Sequence, residues 1–212
     1  MFTGLIEEIG KVIKIQKVIN GVEYTISCSK VLENIEIGDS IAVNGVCQTV
    51  TKFDNNSFTV FAVEETLLKT TLKNLSINQF VNLETSLTLN KKIGGHIVYG
   101  HVDTTGQIVN IQNNSSEVLL SIQFDREYSK YLIHVGSIAI DGVSLTIAKL
   151  DDNNFTVAII PHTFENTIFK FYKKYDFVNL EFDVIGKYVE KQLGKVENKS
   201  KITEEWLKQH GF

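Results

Sequence analysis

Cysteine is scarce: Cys28 and Cys47 are the only two in 212 residues. Neither stands in a CxxC pair, so the chain offers no disulfide framework and no thiolate metal knuckle, and both are read as reduced thiols. An excess of one charge is also missing. The 21 basic and 25 acidic side chains leave a net charge of −4, with both signs interspersed. No basic patch presents itself to phosphates, so nucleic acid is not an expected partner. Lys, Asp, Asn or Gly interrupts every hydrophobic stretch before it nears the roughly 18–20 residues that cross a bilayer, and no membrane association is expected. The opening segment meets Glu7 and Glu8 before any Lys and has no apolar run of signal length. It does not read as an export signal, and the expected location is cytoplasmic. The phosphate loop GxxxxGK[ST], the dinucleotide turn GxGxxG, the zinc helix HExxH and the nucleophile elbow GxSxG are all absent, which disfavours most large enzyme classes.

What the chain does contain is itself, twice. At an offset of 97, the run Ser40 to Val50 falls on Ser137 to Ile147 with six of eleven positions identical. The same offset carries Lys52, Asp54, Phe58, Thr59 and Val60 onto Lys149, Asp151, Phe155, Thr156 and Val157, and Val81-Asn82-Leu83-Glu84 onto Val178-Asn179-Leu180-Glu181. At an offset of 96, Gly4, Gly10, Val12 and Ile15 align with Gly100, Gly106, Ile108 and Ile111. A period of this length is that of a compact domain rather than a solenoid unit, which predicts two similar lobes, 1–96 and 97–185, followed by a tail over 186–212.

Within the first copy, β-branched and aromatic runs over Lys11–Ile15, Val22–Cys28, Ser40–Val43, Thr49–Phe53 and Ser57–Ala62 alternate with the turn residues Asn20-Gly21, Asn44-Gly45 and Asp54-Asn55-Asn56. These predict an all-β unit whose short antiparallel strands bury their edges by closing into a small Greek-key barrel, one per copy. Helix is expected for a turn or two over Asp125–Ile133 and after Thr66 and Thr163. A longer amphipathic helix is expected over about 186–210, where Val189, Leu193 and Trp206 need a surface to cover them, on a barrel or on another subunit.

Four groups of residues stand out. Cys47 and Ser144 hold equivalent positions after a Gly-Val pair, where Gly45 and Gly142 can take a positive φ and a turn would present the thiol or hydroxyl at a barrel rim. The alternative is a small buried Cys and a turn hydroxyl. His96 and His101 lie in Gly94-Gly95-His96-Ile97-Val98-Tyr99-Gly100-His101, where the copies join. Five residues apart on a strand they point to opposite faces, so a shared metal is not expected, and either can simply cap a linker. Val63-Glu64-Glu65-Thr66 aligns with Ile160-Pro161-His162-Thr163, giving each copy comparable polar groups. Finally, Arg126-Glu127-Tyr128-Ser129 matches the RxYS string of ferredoxin-reductase-like flavin barrels. It is only four residues long, lies in a polar stretch expected to be helical, and the repeat leaves no room for the nucleotide domain such reductases need.

Taken in order, Met1-Phe2-Thr3-Gly4-Leu5-Ile6-Glu7, Asn44-Gly45-Val46-Cys47-Gln48-Thr49-Val50, Gly94-Gly95-His96 with Gly100-His101-Val102, and Ile140-Asp141-Gly142-Val143-Ser144-Leu145-Thr146 resemble the riboflavin synthase family of the α-subunit type, over essentially the whole chain. The resemblance implies two six-stranded Greek-key barrels and a homotrimer built around the carboxy-terminal helices. It also implies a cofactor-free transferase that dismutates two 6,7-dimethyl-8-ribityllumazine molecules into riboflavin and 5-amino-6-(ribitylamino)pyrimidinedione, and a possible association with lumazine synthase. The two pockets that face each other would come from the amino-terminal barrel of one subunit and the carboxy-terminal barrel of its neighbour.

Carried over by residue, the resemblance sets one ligand against Phe2, Gly4, Leu5, Ile6, Cys47, Gln48, Thr49, the segment Ala62, Val63, Glu64, Glu65 and Thr66, and Gly100, His101 and Val102. The other lies against Ser144, Leu145, Thr146 and the segment Ile159, Ile160, Pro161, His162 and Thr163. His101 is the expected proton carrier, since an imidazole ordinarily titrates at about 6.5, with Cys47 and Ser144 as nucleophile or polarising groups. One departure is visible: Val135 stands where the family usually has a Lys, with His134 beside it. The competing function is a noncatalytic lumazine or flavin carrier that shares the duplicated fold.

Overall fold

A computed structural model describes residues 1–193, 208, 209 and 211 of the protein. Period-two burial and tight hairpins generate twelve strands. The first copy contains β1 (Glu8–Val18), β2 (Gly21–Ser27), β3 (Ser40–Val43), β4 (Val46–Phe53), β5 (Ser57–Val63) and β6 (Phe80–Thr85). The second contains β7 (Thr104–Asn113), β8 (Val118–Gln123), β9 (Ser137–Ile140), β10 (Val143–Leu150), β11 (Asn154–Ile159) and β12 (Phe177–Phe182). Each set closes on itself in the same antiparallel order, β1-β2-β5-β4-β3-β6 in the first and its counterpart in the second. Closure leaves no sheet edge unpaired, which is how strands this short become stable. Register skips one residue between Val12 and Lys14, between Val50 and Lys52, and at the matching points Ile108/Asn110 and Ile147/Lys149. Such bulges add the local bend and twist that a six-stranded barrel needs.

The expected strands are present: β1, β4 and β5 run longer than expected, β3 has the expected bounds, and β2 lies one residue earlier. The first turn falls on Ile19-Asn20, with Asn20 at φ 65, rather than on Asn20-Gly21. Gly21 already belongs to β2, where a Cβ would sit 2.3 Å from the Ala62 carbonyl oxygen. Each barrel encloses its own apolar core: Val12, Ile26, Ile41, Phe58, Val60 and Leu83 among others in the first, and Ile108, Ile122, Ile138, Phe155, Val157 and Leu180 in the second. Short helices α1 (Glu64–Lys69) and α2 (Pro161–Glu165) follow β5 and β11, and the Arg126-Glu127-Tyr128-Ser129 string lies in a 3-10 helix over Arg126–Tyr131. Helix α3 (Val184–Leu193) begins two residues ahead of the expected tail, with Ile185, Tyr188, Val189 and Leu193 exposed. Of the rest of the expected helix, residues 194–207 and 210, Trp206 among them, lie outside the described residues, and 208 and 209 are helical. No helix among the described residues is long and apolar enough to cross a membrane.

Candidate active site

Two hairpin tips meet on the seam between the barrels. Asn44-Gly45 joins β3 to β4 with φ of 47° and 74°, and Asp141-Gly142 joins β9 to β10 with φ of 44° and 80°. Two left-handed residues in succession make the tight turn that suits the twist of adjacent strands, and Asn-Gly and Asp-Gly are the pairs that tolerate it. The tips abut so closely that a Cβ on Gly45 would fall 2.5 Å from the Gly142 nitrogen. Cys47 and Ser144, two residues beyond the glycines, therefore sit at the junction of the two lobes rather than on open barrel rims.

Into that junction the opening segment of each copy crosses to the other barrel. Phe2 and Val98 form a two-residue antiparallel bridge, with the Phe2 amide donating to the Val98 carbonyl at 2.6 Å and the reverse bond at 3.1 Å. The Ser144 amide donates to the Gly4 carbonyl, and the Cys47 amide to the Gly100 carbonyl, both at 2.8 Å. Ile6 packs on the second barrel's core while its repeat mate Val102 packs on the first. Buried carboxylates hold each crossing segment. Glu84 accepts from the Thr3 amide and hydroxyl, each at 2.7 Å, and from the Gly4 amide at 3.0 Å. Glu181 accepts from the Tyr99 amide at 2.6 Å and the Gly100 amide at 2.9 Å. Burial pushes both carboxyls above their ordinary range, opposed by those amide donors and by Lys91 or Lys187.

The side chains at the junction are not equivalent. Ser144 Oγ lies 2.7 Å from His96 Nδ1, whereas the described hydrogen bonds give the Cys47 thiol no partner. Burial lowers the His96 pKa, opposed by the Asp183 carboxylate. Among the described residues, the buried side-chain nitrogen and oxygen atoms without a partner are His96 Nε2 and Gln48 Oε1. Gln48 spends its amide nitrogen on the Cys47 carbonyl at 2.8 Å. Native interiors leave few buried polar groups unpaired, and here they belong to Gln48, bonded to the Cys47 carbonyl, and His96, bonded to Ser144. The other thiol is inert: burial, with Glu8 and Asp54 nearby, pushes Cys28 up to about 12.

Comparison with known proteins matches the lumazine binding domain twice, over residues 3–86 and 99–183. The chain is 46% identical to the riboflavin synthase of Actinobacillus pleuropneumoniae and 45% identical to that of Bacillus subtilis, in each case over 100% of both chains. The chain belongs to the riboflavin synthase family. Its fold is also like that of LumP in complex with 6,7-dimethyl-8-(1'-D-ribityl) lumazine, with a TM-score of 0.79 at 23% identity, covering 86% of this chain and 99% of LumP. The LumP complex with riboflavin gives a TM-score of 0.81 at 23% identity, covering 86% and 100%.

Set against the residues expected of a riboflavin synthase, the structure divides the list. Gly4, Cys47, Gln48, Gly100 and Ser144 gather at the crossing. Gly4 and Ile6, expected with Leu5 on the Cys47 side, lie against the second copy instead, because the opening segment crosses to Ser144 and the second core; Leu5 between them is 47% exposed and offers an apolar surface. Thr49, Thr146, Val63, Glu64, Glu65, Ile160, Pro161 and His162 are exposed, and Leu145, Thr66 and Thr163 are half-buried. Three positions face inward instead. Phe2 is 1% exposed and packs with Ala42, Val98 and Ala139, so its ring orders the crossing segment and offers no free face to a ligand. Ala62 and Ile159 are fully buried in the two barrel cores, because strand alternation turns them inside.

His101 is exposed, with its ring 5.9 Å from that of Tyr99, and it follows the glycine that contacts Cys47. His96 and His101 lie in irregular chain rather than on a common strand, so the expectation of opposite strand faces does not apply. Among the described residues no group of three or more His, Cys, Asp or Glu could hold a metal. The His96 contact was missed in the sequence. Its only signal was the Gly94-Gly95 pair, which shows that the backbone must come close to something without saying to what.

Proposed function

We propose that the protein is a riboflavin synthase acting on two molecules of 6,7-dimethyl-8-ribityllumazine. A four-carbon unit passes from one to the other, leaving riboflavin and 5-amino-6-(ribitylamino)pyrimidinedione, and no cofactor takes part. The observation that carries this reading is the doubled crossing: the same backbone bond, Gly4 carbonyl to Ser144 amide and Gly100 carbonyl to Cys47 amide, sets a small polar side chain of each copy at the junction. Transfer between two identical molecules calls for two related pockets. Holding both heterocycles in reactive geometry contributes on the order of 7–11 kcal/mol toward the barrier.

The first pocket is assigned to residues 1–96 with Gln48, Thr49 and Glu64 to Thr66, together with His101, while Leu5, on the segment that crosses to Ser144, is assigned to the second. The second is assigned to residues 97–185 with Ser144 to Thr146 and Ile160 to Thr163. His101, exposed and next to the Cys47 contact, takes the proton from the acidic methyl of a bound lumazine, and Cys47 and Ser144 polarise or add to the ring of its partner. Face-to-face pairing of a first pocket with a second is assigned to neighbouring subunits of a homotrimer. The exposed Ile185, Tyr188, Val189 and Leu193 of α3 supply an apolar face for that assembly. A cytoplasmic location, and docking to lumazine synthase as the source of the substrate, complete the reading.

Enzyme and carrier separate in one measurement. Purified protein given the lumazine alone is expected to produce riboflavin absorbance through many turnovers. A spectral shift that stops at stoichiometric binding would make it a carrier. The full-length identity of 46% to a synthase, against 23% to LumP, favours turnover. With His101→Gln, turnover is expected to fall at least tenfold with the protein still folded, and unchanged turnover removes His101 as the essential base.

A further inference from the structure

The contact between His96 and Ser144 breaks the symmetry of an otherwise repeated site. Both copies use a glycine carbonyl to receive the amide of the reactive position, and both glycines have φ +76. Only the second copy's reactive side chain is held by an imidazole, that of His96 from the linker, with Nδ1 2.7 Å from Ser144 Oγ. That placement is built in. A Cβ on Gly95 would stand 2.3 Å from the Thr3 carbonyl oxygen, 2.7 Å from Ser144 Cβ and 2.8 Å from Ser144 Oγ, and one on Gly94 would stand 2.6 Å from Leu5 Cδ1. Two successive glycines thus let the linker lie flat on the junction and deliver the next side chain to the hydroxyl.

We propose that His96 is a positioning residue for Ser144: the ring fixes the hydroxyl rotamer, so that the remaining hydrogen-bonding capacity of Oγ is directed at the heterocycle held by the second barrel. This rests on the assignment of Ser144 to that pocket. A free serine hydroxyl samples three rotamers and turns its proton at will, and a bond to one ring nitrogen removes both freedoms. A histidine serving only to cap the linker would have both ring nitrogens satisfied, yet Nε2 is buried without a partner. Burial disfavours the charged ring, and in the neutral form Nδ1 either donates to Oγ or accepts from it according to the tautomer. Cys47, with no such ring, is left to act through the intrinsic properties of its thiol. The two pockets therefore treat their lumazines differently, as donor and acceptor of the same fragment must be treated.

A double-mutant cycle in the full-length protein tests this, read as kcat and KM for riboflavin formation. His96→Ala is expected to lower kcat roughly five- to tenfold with KM within about twofold, the size of one hydrogen bond. His96→Asn, whose amide can occupy the place of Nδ1, should recover kcat to within about twofold. In a Ser144→Ala background, His96→Ala should change kcat by less than about twofold, because the ring acts only through the hydroxyl. The nitrogen NMR signals of the His96 ring should also move between wild type and Ser144→Ala without any ligand. Full activity in His96→Ala, additive losses in the double mutant, or ring signals indifferent to Ser144→Ala would each overturn the proposal. A wild-type protein that makes no riboflavin overturns the functional reading instead, and the ring signals still decide whether the pair is formed.

Discussion

Asn82 and Asn179 reach across the seam in opposite directions. Asn82 Nδ2 donates to the Asp141 carbonyl at 3.0 Å and Asn179 Nδ2 to the Asn44 carbonyl at 2.8 Å. Their oxygens accept from the Ile168 and Thr71 amides at 2.9 and 2.7 Å. Each side chain thus ties the hairpin tip of the opposite barrel to a backbone amide in the segment beyond the helix of one copy. Asn82→Ala leaves a buried carbonyl and a buried amide without partners, at about 1–3 kcal/mol for each unpaired group. Chemical denaturation is expected to show a loss of about 2–4 kcal/mol for Asn82→Ala, and a similar one for Asn179→Ala. A change under about 0.5 kcal/mol would mean the network is not what joins the barrels.

The second tip carries a carboxylate where the first carries an amide. Asp141 is fully buried, accepting from the Asn179 amide at 3.0 Å and the Tyr172 hydroxyl at 2.6 Å. Burial lifts its carboxyl from an ordinary 3.8 to about 7, more than those donors pull it down. The folded chain then keeps a proton that the unfolded chain releases between about pH 4 and 7, so the group's contribution is fully present below pH 4 and is lost as pH rises through 7. At 1.36 kcal/mol per unit, the loss is on the order of 4 kcal/mol. Asp141→Asn, repeating what Asn44 does in the first copy, should remove this slope. Melting curves from pH 4 to 8 are expected to show the variant gaining on wild type as pH rises, and parallel curves would refute the sign.

Much of this was written in the repeat. The 97-residue register located both barrels, and Asn44-Gly45 and Asp141-Gly142 announced their hairpins because only such pairs accept two left-handed residues in a row. Val81 to Glu84 recurs as Val178 to Glu181, but the polar Asn82, Glu84, Asn179 and Glu181 carry no strand signal of their own, and they are buried because the seam supplies their partners. Contacts such as His96 to Ser144, 48 residues apart, leave no periodic trace. The burial of Phe2 was hidden for the same reason. A lone aromatic near a glycine fits a ligand face as well as a seam, and only the Val98 bridge decides between them.

Val135 is strained where its repeat mate is not. It adopts φ 62 while the matching Gly38 adopts φ 99, and both donate their amides across the same barrel opening, to Ile147 and Val50. A β-branched side chain in the left-handed region costs about 1–2 kcal/mol, and Val135, 66% exposed, recovers little of it by burial. Val135→Gly is therefore expected to stabilise the protein by about 0.5–1 kcal/mol after the entropy of the added glycine in the unfolded chain is counted. Equilibrium denaturation measures this directly. A destabilised variant would show that the Val135 side chain makes a contact worth more than its backbone strain.

Gly4 and Gly100 allow the two pockets to be disabled one at a time. Both sit at φ +76, and an added Cβ would lie 2.5 Å from Ser144 Cβ in one case and 2.7 Å from Cys47 Cβ in the other. Gly4→Ala must push the opening segment off the second copy's hairpin, and Gly100→Ala must push the linker off the first. Each adds about 1–2 kcal/mol of backbone strain to the clash. If each copy binds one lumazine, fluorescence titration of wild type should saturate at two per chain, and either variant that remains folded by circular dichroism should saturate near one. Turnover should fall in both, because transfer needs two occupied pockets, while the surviving affinity should be that of the undisturbed copy. Two full-strength sites in both variants would separate ligand binding from the crossing, and Cys47 and Ser144 would no longer mark the pockets.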